Sequence, residues 1–220
     1  MDFNAQKISD IYSSKLARRY DFSMPHLFVK WKRRAAAAAS LKTGDRVLVF
    51  CCGTGLDFEP IHDAVGESGQ IVGVDFSKEM LAQAARKVEK NGWRNVELIE
   101  ADITDFHKAL EEPADAGFCT LGLSIIPDFQ KAYDNLLSNV TEGGRIIVGD
   151  MQLASGPRAL FNPLTLLMSR RYGGTREGHE NSRLLRERMT RELTNVTQET
   201  FFWGAYYYCI GTKPPLASAT

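Results

Sequence analysis

A short apolar run that breaks into a glycine turn constrains this chain more than any other feature. Residues 46–50 read Arg-Val-Leu-Val-Phe, and residues 51–55 read Cys-Cys-Gly-Thr-Gly. A helix-like pattern then begins at Leu56. A strand, a glycine turn and a helix in this order open a nucleotide-binding βαβ unit, because glycine lets the backbone approach a ligand without the obstruction of a Cβ atom.

Two acidic residues stand at the ends of the next two apolar runs. Asp75 follows the glycine turn by about 20 residues, the spacing at which such units place a carboxylate on a ribose. Asp102 lies just beyond the run 95–100. Either acid alone could be a helix N-cap or part of a solvated loop, but two at successive strand ends favour a bound cofactor.

The residue at the third glycine position of the motif limits which ligands the turn can bind. The dinucleotide motif requires glycine where this chain has Phe58, which argues against NAD and against an NAD-dependent dehydrogenase. A nucleoside without a pyrophosphate is the alternative, and S-adenosylmethionine is the obvious candidate.

Apolar runs alternate with helical patterns from residue 46 to residue 151. The strand-like runs cover residues 46–50, 70–75, 95–100, 116–121 and 145–150, and the main helical patterns between them cover 56–61, 78–90 and 128–139. This alternation with short links predicts an α/β fold with a doubly wound, Rossmann-like, mostly parallel sheet and helices on both faces. Ligands of such sheets lie at the carboxyl ends of the strands.

The flanking segments differ from this core. Residues 8–21 and 26–39 read as helices, residues 157–171 as an apolar helical piece, 172–178 as a glycine-rich loop and 182–193 as an arginine-rich helix. Two β-rich runs, 196–203 and 205–210, are separated by Gly204 alone, which predicts a hairpin.

The net charge is zero, but the charge is unevenly distributed. Residues 1–34 and residues 157–191 each carry eight Lys/Arg against three Asp/Glu, whereas residues 35–156 carry ten against nineteen. Phe28 and Trp31 in the first basic segment, and Phe161, Leu164 and Leu167 in the second, are expected to be exposed. Basic residues around an apolar face suit an anionic membrane surface, and two solvated helices are the alternative.

Composition limits the remaining possibilities. A chain of 220 residues that is 44% hydrophobic suits one domain. The four cysteines form no C-x-x-C pair, which predicts reduced thiols and a cytoplasmic protein, at most peripheral to a membrane. We find no signal-peptide pattern, no membrane-spanning run and no metal-ligand motif, and bulk charge gives no indication of a nucleic-acid partner.

Taken together, these motifs resemble those of class I S-adenosylmethionine-dependent methyltransferases, within the group of quinone-biosynthesis C-methyltransferases and phospholipid N-methyltransferases. The pieces that carry the resemblance are residues 47–55, 72–81, 100–103 and 141–145, the N-terminal Tyr12 to Asp21, and the hairpin at 202–206. The resemblance implies a seven-stranded sheet with an antiparallel C-terminal hairpin and an N-terminal helical lid. The single domain would comprise the lid (1–43), a cofactor-binding core (44–151), a helical acceptor-side insertion (152–195) and the closing hairpin (196–213).

The resemblance also implies how S-adenosylmethionine is bound. The turn from Gly53 to Gly55 would pass under its methionine part, and Asp75 would accept hydrogen bonds from both ribose hydroxyls. Phe76 or Met80 would pack on the adenine, whose amino group would donate to Asp102. The full predicted cofactor set is Tyr12, Tyr20, Cys51, Gly53, Gly55, Asp75, Phe76, Met80, Asp102, Ile103, Thr120 and Leu121.

Two positions depart from the family pattern. Val49 stands where the family usually has an acid, and Cys51 where it usually has glycine. The missing acid leaves open a non-catalytic protein that binds S-adenosylmethionine. The sequence identifies no catalytic residue, because the four histidines are scattered along the chain.

The predicted activity is methyl transfer from S-adenosylmethionine, with S-adenosylhomocysteine as product. A lipophilic or small-molecule acceptor is expected, with a phospholipid amine head group first and C- or O-methylation of a quinone or another small metabolite as the alternative. An Asn/Asp-Pro-Pro-Tyr motif is missing after the fourth strand run, where the chain reads Thr-Leu-Gly-Leu-Ser, which argues against a nucleobase amino-methyltransferase.

Overall fold

A seven-stranded sheet forms the centre of the protein. The computed structural model describes Tyr12 and residues 14–23 and 26–215. The strands are β1 (Arg46–Phe50), β2 (Gln70–Asp75), β3 (Val96–Glu100), β4 (Ala114–Thr120), β5 (Val140–Met151), β6 (Thr194–Phe201) and β7 (Tyr206–Thr212). Their order is β3-β2-β1-β4-β5-β7-β6, and β7 runs antiparallel to both β5 and β6. The predicted doubly wound sheet with an antiparallel C-terminal hairpin is confirmed.

Helices cover both faces of the sheet. They are α1 (Ser14–Ser23), α2 (His26–Ala38), α3 (Phe58–Val65), α4 (Lys78–Asn91), α5 (Phe129–Ser138), α6 (Asn162–Arg170) and α7 (Arg176–Glu192). Short 3-10 turns occur at Ile103–Asp105, Leu123–Ile125, Gly156–Phe161 and Phe202–Gly204. The helix predicted over 8–21 is described only from Ser14, and its residues 8–11 lie outside the described residues.

The arginine-rich helix begins earlier than the sequence pattern predicts. We expected a loop over 172–178 and a helix from Ser182, but α7 begins at Arg176. The side chain of Thr175 caps it by accepting a hydrogen bond from the Gly178 N–H at 2.9 Å. Glycine is needed at 178, because a Cβ atom there would lie 2.0 Å from the carbonyl oxygen of Ser124.

Alternate residues of β1 build two separate cores. Leu48 and Phe50 pack with the side chains of α5 and α7 on one face, and Val47 and Val49 pack with α3 and α4 on the other. Val49 is fully buried, and its register places it between Gly73 of β2 and Phe118 of β4. A carboxylate at this position would lose its hydration among apolar groups, so the valine here suits the packing.

The two large aromatic residues of α2, which belongs to the first basic segment, pack into the protein. Phe28 and Trp31, which we expected to be exposed, are each only 8% exposed. The Trp31 ring stacks on Tyr206 at 5.2 Å between centroids and on Phe201 at 5.3 Å. The expectation was wrong, because α2 carries its aromatic residues towards the closing hairpin, whose rings cover them.

We expect Leu136→Ala to lower the free energy of unfolding by about 2–5 kcal/mol, because it opens a cavity in a fully packed region. Leu136 is completely buried on α5, and a Cβ atom added at Gly117 of β4 would lie 2.9 Å from its Cδ1 atom. Urea denaturation measures the change. Leu164→Ala is the matched control, since Leu164 is 45% exposed and its loss should cost little.

Candidate functional site

A cavity of about 230 Å³ opens at the carboxyl ends of β1, β2 and β4. Every residue of the predicted cofactor set except Gly55 lines it. The structure adds further lining residues that the sequence did not single out: Lys32, Cys52, Thr54, Leu56, Ser77, Ala101, Thr104, Gly122, Ile125, Ile126, Pro127 and Asp128. The residues proposed for one ligand are therefore gathered from five separate segments of the chain around a single space.

The glycine turn shapes the floor of this cavity. Gly53 has a φ of +55°, and a Cβ atom there would lie 3.3 Å from the Cε atom of Met80. Gly55, with a φ of +73°, is buried away from the cavity, where a Cβ atom would lie 2.5 Å from the Phe58 ring. The first glycine thus leaves the cavity open, whereas the second lets the turn pack against α3.

Asp75 joins the glycine turn to the end of β2. Its Oδ2 atom accepts a hydrogen bond from the Gly53 N–H at 2.8 Å, and its Oδ1 atom accepts one from the Ser77 N–H at 2.9 Å. Burial raises the pKa of Asp75, and the N–H groups of Ser77, Gly53 and Phe76 act in the opposite direction. Each oxygen can accept a further hydrogen bond, as binding of two ribose hydroxyls requires.

Asp102 has a structural role as well as a place in the cavity wall. Its Oδ1 atom accepts hydrogen bonds from the N–H and the hydroxyl of Thr104, both at 2.8 Å, and so caps the turn at Ile103–Asp105. Its Oδ2 atom takes no hydrogen bond from any residue that the structure describes. One oxygen is therefore committed to the fold, and the other is open to a ligand.

Two non-glycine residues of the wall have left-handed backbone. Cys51 has a φ of +50° and Leu121 a φ of +57°, conformations that cost about 1–3 kcal/mol each. The left-handed conformation of Cys51 explains why glycine suits this position. Gly122 makes room for the cysteine, because a Cβ atom on it would lie 2.5 Å from that of Cys51.

The N-terminal segment closes one side of the cavity. Tyr12 donates a hydrogen bond from its hydroxyl to the Tyr172 carbonyl at 3.0 Å, and its ring lies 6.1 Å from that of Tyr20. Asp21 of α1 pairs with Lys87 of α4 at 2.8 Å and hydrogen-bonds to the Thr54 hydroxyl. These contacts hold α1 over the glycine turn, and its role as a lid stays a prediction.

A second cavity of about 70 Å³ adjoins the first. Tyr12, Tyr20, Leu121 and Ile125 line both cavities and so form a shared wall. The remaining lining residues of the second cavity are Phe28, Ser124, Asp150, Met151, Met168, Ser169, Tyr172, Gly174 and His179. Sequence reasoning did not select Asp150 or His179, because no local motif marks them.

Asp150 and His179 of the second cavity are almost fully buried. Asp150 accepts hydrogen bonds from the Ser124 N–H at 2.8 Å and the Ser124 hydroxyl at 2.7 Å, and burial raises its pKa. His179 Nε2 lies 2.8 Å from the Ser169 hydroxyl, and its Nδ1 atom makes no hydrogen bond of normal geometry. Burial lowers the pKa of His179, and contact with the Met151 backbone partly offsets this effect, so the site favours the neutral ring.

Comparison with known sequences identifies the family. Residues 41–197 match the family described as "Methyltransferase domain", a span from just before β1 into β6. The chain belongs to this family. It is a class I methyltransferase that uses S-adenosylmethionine, which confirms the cofactor predicted from the sequence.

The relatives are consistent with that family. The demethylmenaquinone methyltransferase of Desulfitobacterium hafniense is 28% identical over 195 residues, which cover 82% of this chain and 76% of that protein. A protein of the same name from Bacillus velezensis is 30% identical over 118 residues, and the match spans 50% of its length. The resemblance to quinone C-methyltransferases therefore extends beyond the motifs.

Solved structures share the fold at low sequence identity. A SAM-dependent methyltransferase from Aquifex aeolicus has a TM-score of 0.61 and 16% identity, and the match covers 96% of this chain and 98% of that one. An rRNA methylase from Streptococcus thermophilus has a TM-score of 0.56 and 14% identity, with 83% and 93% covered.

The residues of the first cavity fit the cofactor. Gly53 provides a cradle that a Cβ atom would narrow, Asp75 provides two acceptor oxygens, and Met80 and Phe76 provide apolar surface for a purine ring. The described residues contain no group of His, Cys, Asp and Glu suited to a metal ion.

We expect Asp75→Ala to weaken binding of S-adenosylhomocysteine by about 1.5–3 kcal/mol, the cost of hydrogen bonds to a charged acceptor. Calorimetry measures the dissociation constant. Asp63→Ala on α3 is the control, since this side chain makes no contact with the cavity. Unchanged affinity in the Asp75 variant would rule out the ribose role.

Proposed function

We propose that the protein transfers a methyl group to a small aromatic acceptor of the hydroquinone type, seated in the second cavity. The observation that carries this proposal is the wall shared by the two cavities, whose members include Tyr20 and Leu121. Methyl transfer requires donor and acceptor to lie in line and in contact. A cofactor cavity with an adjoining covered space meets that requirement.

The lining of the second cavity suits an aromatic ring. Tyr12, Tyr20, Phe28 and Tyr172 contribute ring surface, and the Tyr20 and Tyr172 rings meet edge to face at 5.8 Å. Flat apolar walls exclude water and orient a ring without fixing charge. The relatives named as demethylmenaquinone methyltransferases support an acceptor of this class.

The sulfonium of S-adenosylmethionine supplies an electrophilic methyl group when it is bound. Attack by a ring carbon is favoured once a ring hydroxyl gives up its proton. The new carbon–carbon bond forms as the methyl–sulfur bond breaks, and S-adenosylhomocysteine leaves. The proton on the methylated ring carbon then moves to the ring oxygen, which restores the aromatic ring. His179 is the residue that we propose takes the hydroxyl proton, because it is the imidazole that lines the second cavity and burial favours its neutral form. Ser169 and Asp150 hold the polar side of the cavity in place through their own hydrogen bonds.

The phospholipid amine that we favoured from the sequence finds no support among the relatives. It stays a second candidate on one observation, which is that aromatic rings and the Asp150 carboxylate line the same cavity. Ring faces and a carboxylate attract an ammonium group.

An acceptor assay tests the proposal and separates the two candidates. The protein is incubated with S-adenosylmethionine and either a short-chain demethylated quinol or vesicles of phosphatidylethanolamine. Formation of S-adenosylhomocysteine and the mass of the product are then measured. We expect turnover with the quinol and a new carbon-bound methyl group. Turnover with the amine lipid alone would overturn the quinol proposal.

We expect His179→Gln to lower kcat for the quinol by about 10²- to 10⁴-fold, the usual contribution of a positioned base. Affinity for S-adenosylhomocysteine should be unchanged, because His179 does not line the first cavity. His107→Gln is the matched control, since that residue is exposed and lines neither cavity. Equal loss of kcat and of cofactor affinity would indicate a structural role only.

The surface beside the second cavity suggests where a lipophilic acceptor enters. Leu160 is 81% and Leu167 70% exposed, and Phe161 stacks on the half-exposed Trp203 at 4.8 Å. We call this the α6 surface, formed by Leu160, Phe161, Leu164, Leu167, Met168 and Trp203. Met168 belongs both to it and to the second cavity.

We propose that the α6 surface lies on an anionic membrane. Arg158, Arg170 and Arg171 are exposed around it, and each can contribute about 1 kcal/mol near lipid charge. On α2, by contrast, Arg33 pairs with Glu59 and Arg34 with Glu199, so these two arginines are engaged within the protein. No helix of the described residues has the length and apolarity needed to cross a bilayer.

Co-sedimentation with anionic vesicles at low salt tests this surface. We expect Leu160→Ser combined with Leu167→Ser to abolish binding, because both side chains would leave the lipid boundary. Phe22→Ser with Leu27→Ser is the matched control, since these apolar residues are also exposed but lie on α1 and α2. Equal loss from both pairs, or no binding by the unaltered protein, would refute the proposal.

A further inference from the structure

A buried lysine lines the cofactor cavity. Lys32 lies on α2, within a run of basic residues, but it is only 5% exposed. Its Nζ atom lies 2.7 Å from Asp57 Oδ2, and both side chains of this ion pair are almost covered. An ammonium group is costly to bury unless it is paired and hydrogen-bonded, so its position in a cavity wall requires a reason.

Thr120 connects this ion pair to the end of β4. Its hydroxyl donates a hydrogen bond to Asp57 Oδ2 at 2.7 Å and accepts one from Lys32 Nζ. Lys32 and Thr120 line the cavity, whereas Asp57 is not among the lining residues. The carboxylate therefore holds the two groups that face the ligand space and does not face it itself.

The three residues surround the glycine turn. Asp57 follows the turn and immediately precedes α3, Thr120 ends the neighbouring strand, and Lys32 reaches both from the N-terminal helix. This is the end of the cavity where the resemblance places the methionine part of the cofactor. That part carries an α-carboxylate, for which a buried ammonium is a suitable partner.

We propose that Lys32 binds the α-carboxylate of S-adenosylmethionine, and that Asp57 and Thr120 position its ammonium group. An ammonium has three N–H donors, of which Asp57 and the Thr120 hydroxyl take two. The third lies 3.4 Å from the Thr120 carbonyl, a long contact that the stronger carboxylate acceptor of the cofactor would replace. Asp57 also places a carboxylate beside the glycine turn. The family usually has its acid at the position that Val49 occupies in this chain.

The test compares two ligands that differ only in the amino-acid part. S-adenosylhomocysteine carries the α-carboxylate, whereas 5′-methylthioadenosine has the same nucleoside and a thioether but no amino-acid group. The variant combines Lys32→Met with Asp57→Asn, so that neither charge is left buried alone. Dissociation constants are measured by calorimetry, and the midpoint of thermal unfolding is recorded beside them.

We expect the double variant to bind S-adenosylhomocysteine at least about tenfold more weakly, the size of one charge-assisted hydrogen bond. Its affinity for 5′-methylthioadenosine should stay within about twofold. Lys30→Met is the control, since Lys30 is exposed on the same helix. Equal weakening for both ligands would mean that the ion pair only anchors α2, and it would overturn the proposal. Unchanged affinity for both ligands would also overturn it. If the double variant does not fold, Lys32→Gln replaces it, and the same ratio of its affinities for S-adenosylhomocysteine and 5′-methylthioadenosine is measured.

Discussion

The hydrogen bond from the Gly53 N–H to the Asp75 carboxylate, 2.8 Å long, is the contact on which the site depends. It ties the turn after β1 to the end of β2, and so fixes two walls of the cofactor cavity relative to each other. Gly53 can take part because its positive φ and missing side chain bring the N–H to the carboxylate while leaving room for a ligand above Met80. The strand register of β1 and β2 then extends this alignment through the sheet.

The N-terminal helices complete the site through two different kinds of contact. Trp31 of α2 stacks on both Tyr206 and Phe201, which anchors the helix on the closing hairpin through apolar area. Lys32, the next residue, lines the first cavity and pairs with Asp57 at 2.7 Å. Consecutive residues of one helix thus join the last strands of the chain to the first glycine turn. One side of the first cavity is therefore closed by α2, which lies far in sequence from the strand ends that form the rest of its wall.

The two departures from the family pattern have separate physical explanations. Val49 packs in a fully apolar core between β2 and β4, where an acid would be desolvated. Cys51 accepts a left-handed backbone, and the neighbouring Gly122 provides the space for its side chain. Neither departure disrupts the cavity, which agrees with an active methyltransferase and gives no support to the non-catalytic alternative.

The sequence alone determined the alternation of strands and helices, the glycine turn, and the two acids at successive strand ends, because these depend on local periodicity and on the geometry of parallel strands. It did not determine which side chains of α2 are buried: Phe28, Trp31 and Lys32 all face the protein, although their segment reads as a basic, partly apolar surface helix. Asp150 and His179 were likewise missed, since they lie on β5 and α7 and line one cavity only in the folded chain. Burial and long-range pairing are set by the packing of distant elements, and only the tertiary structure decides them.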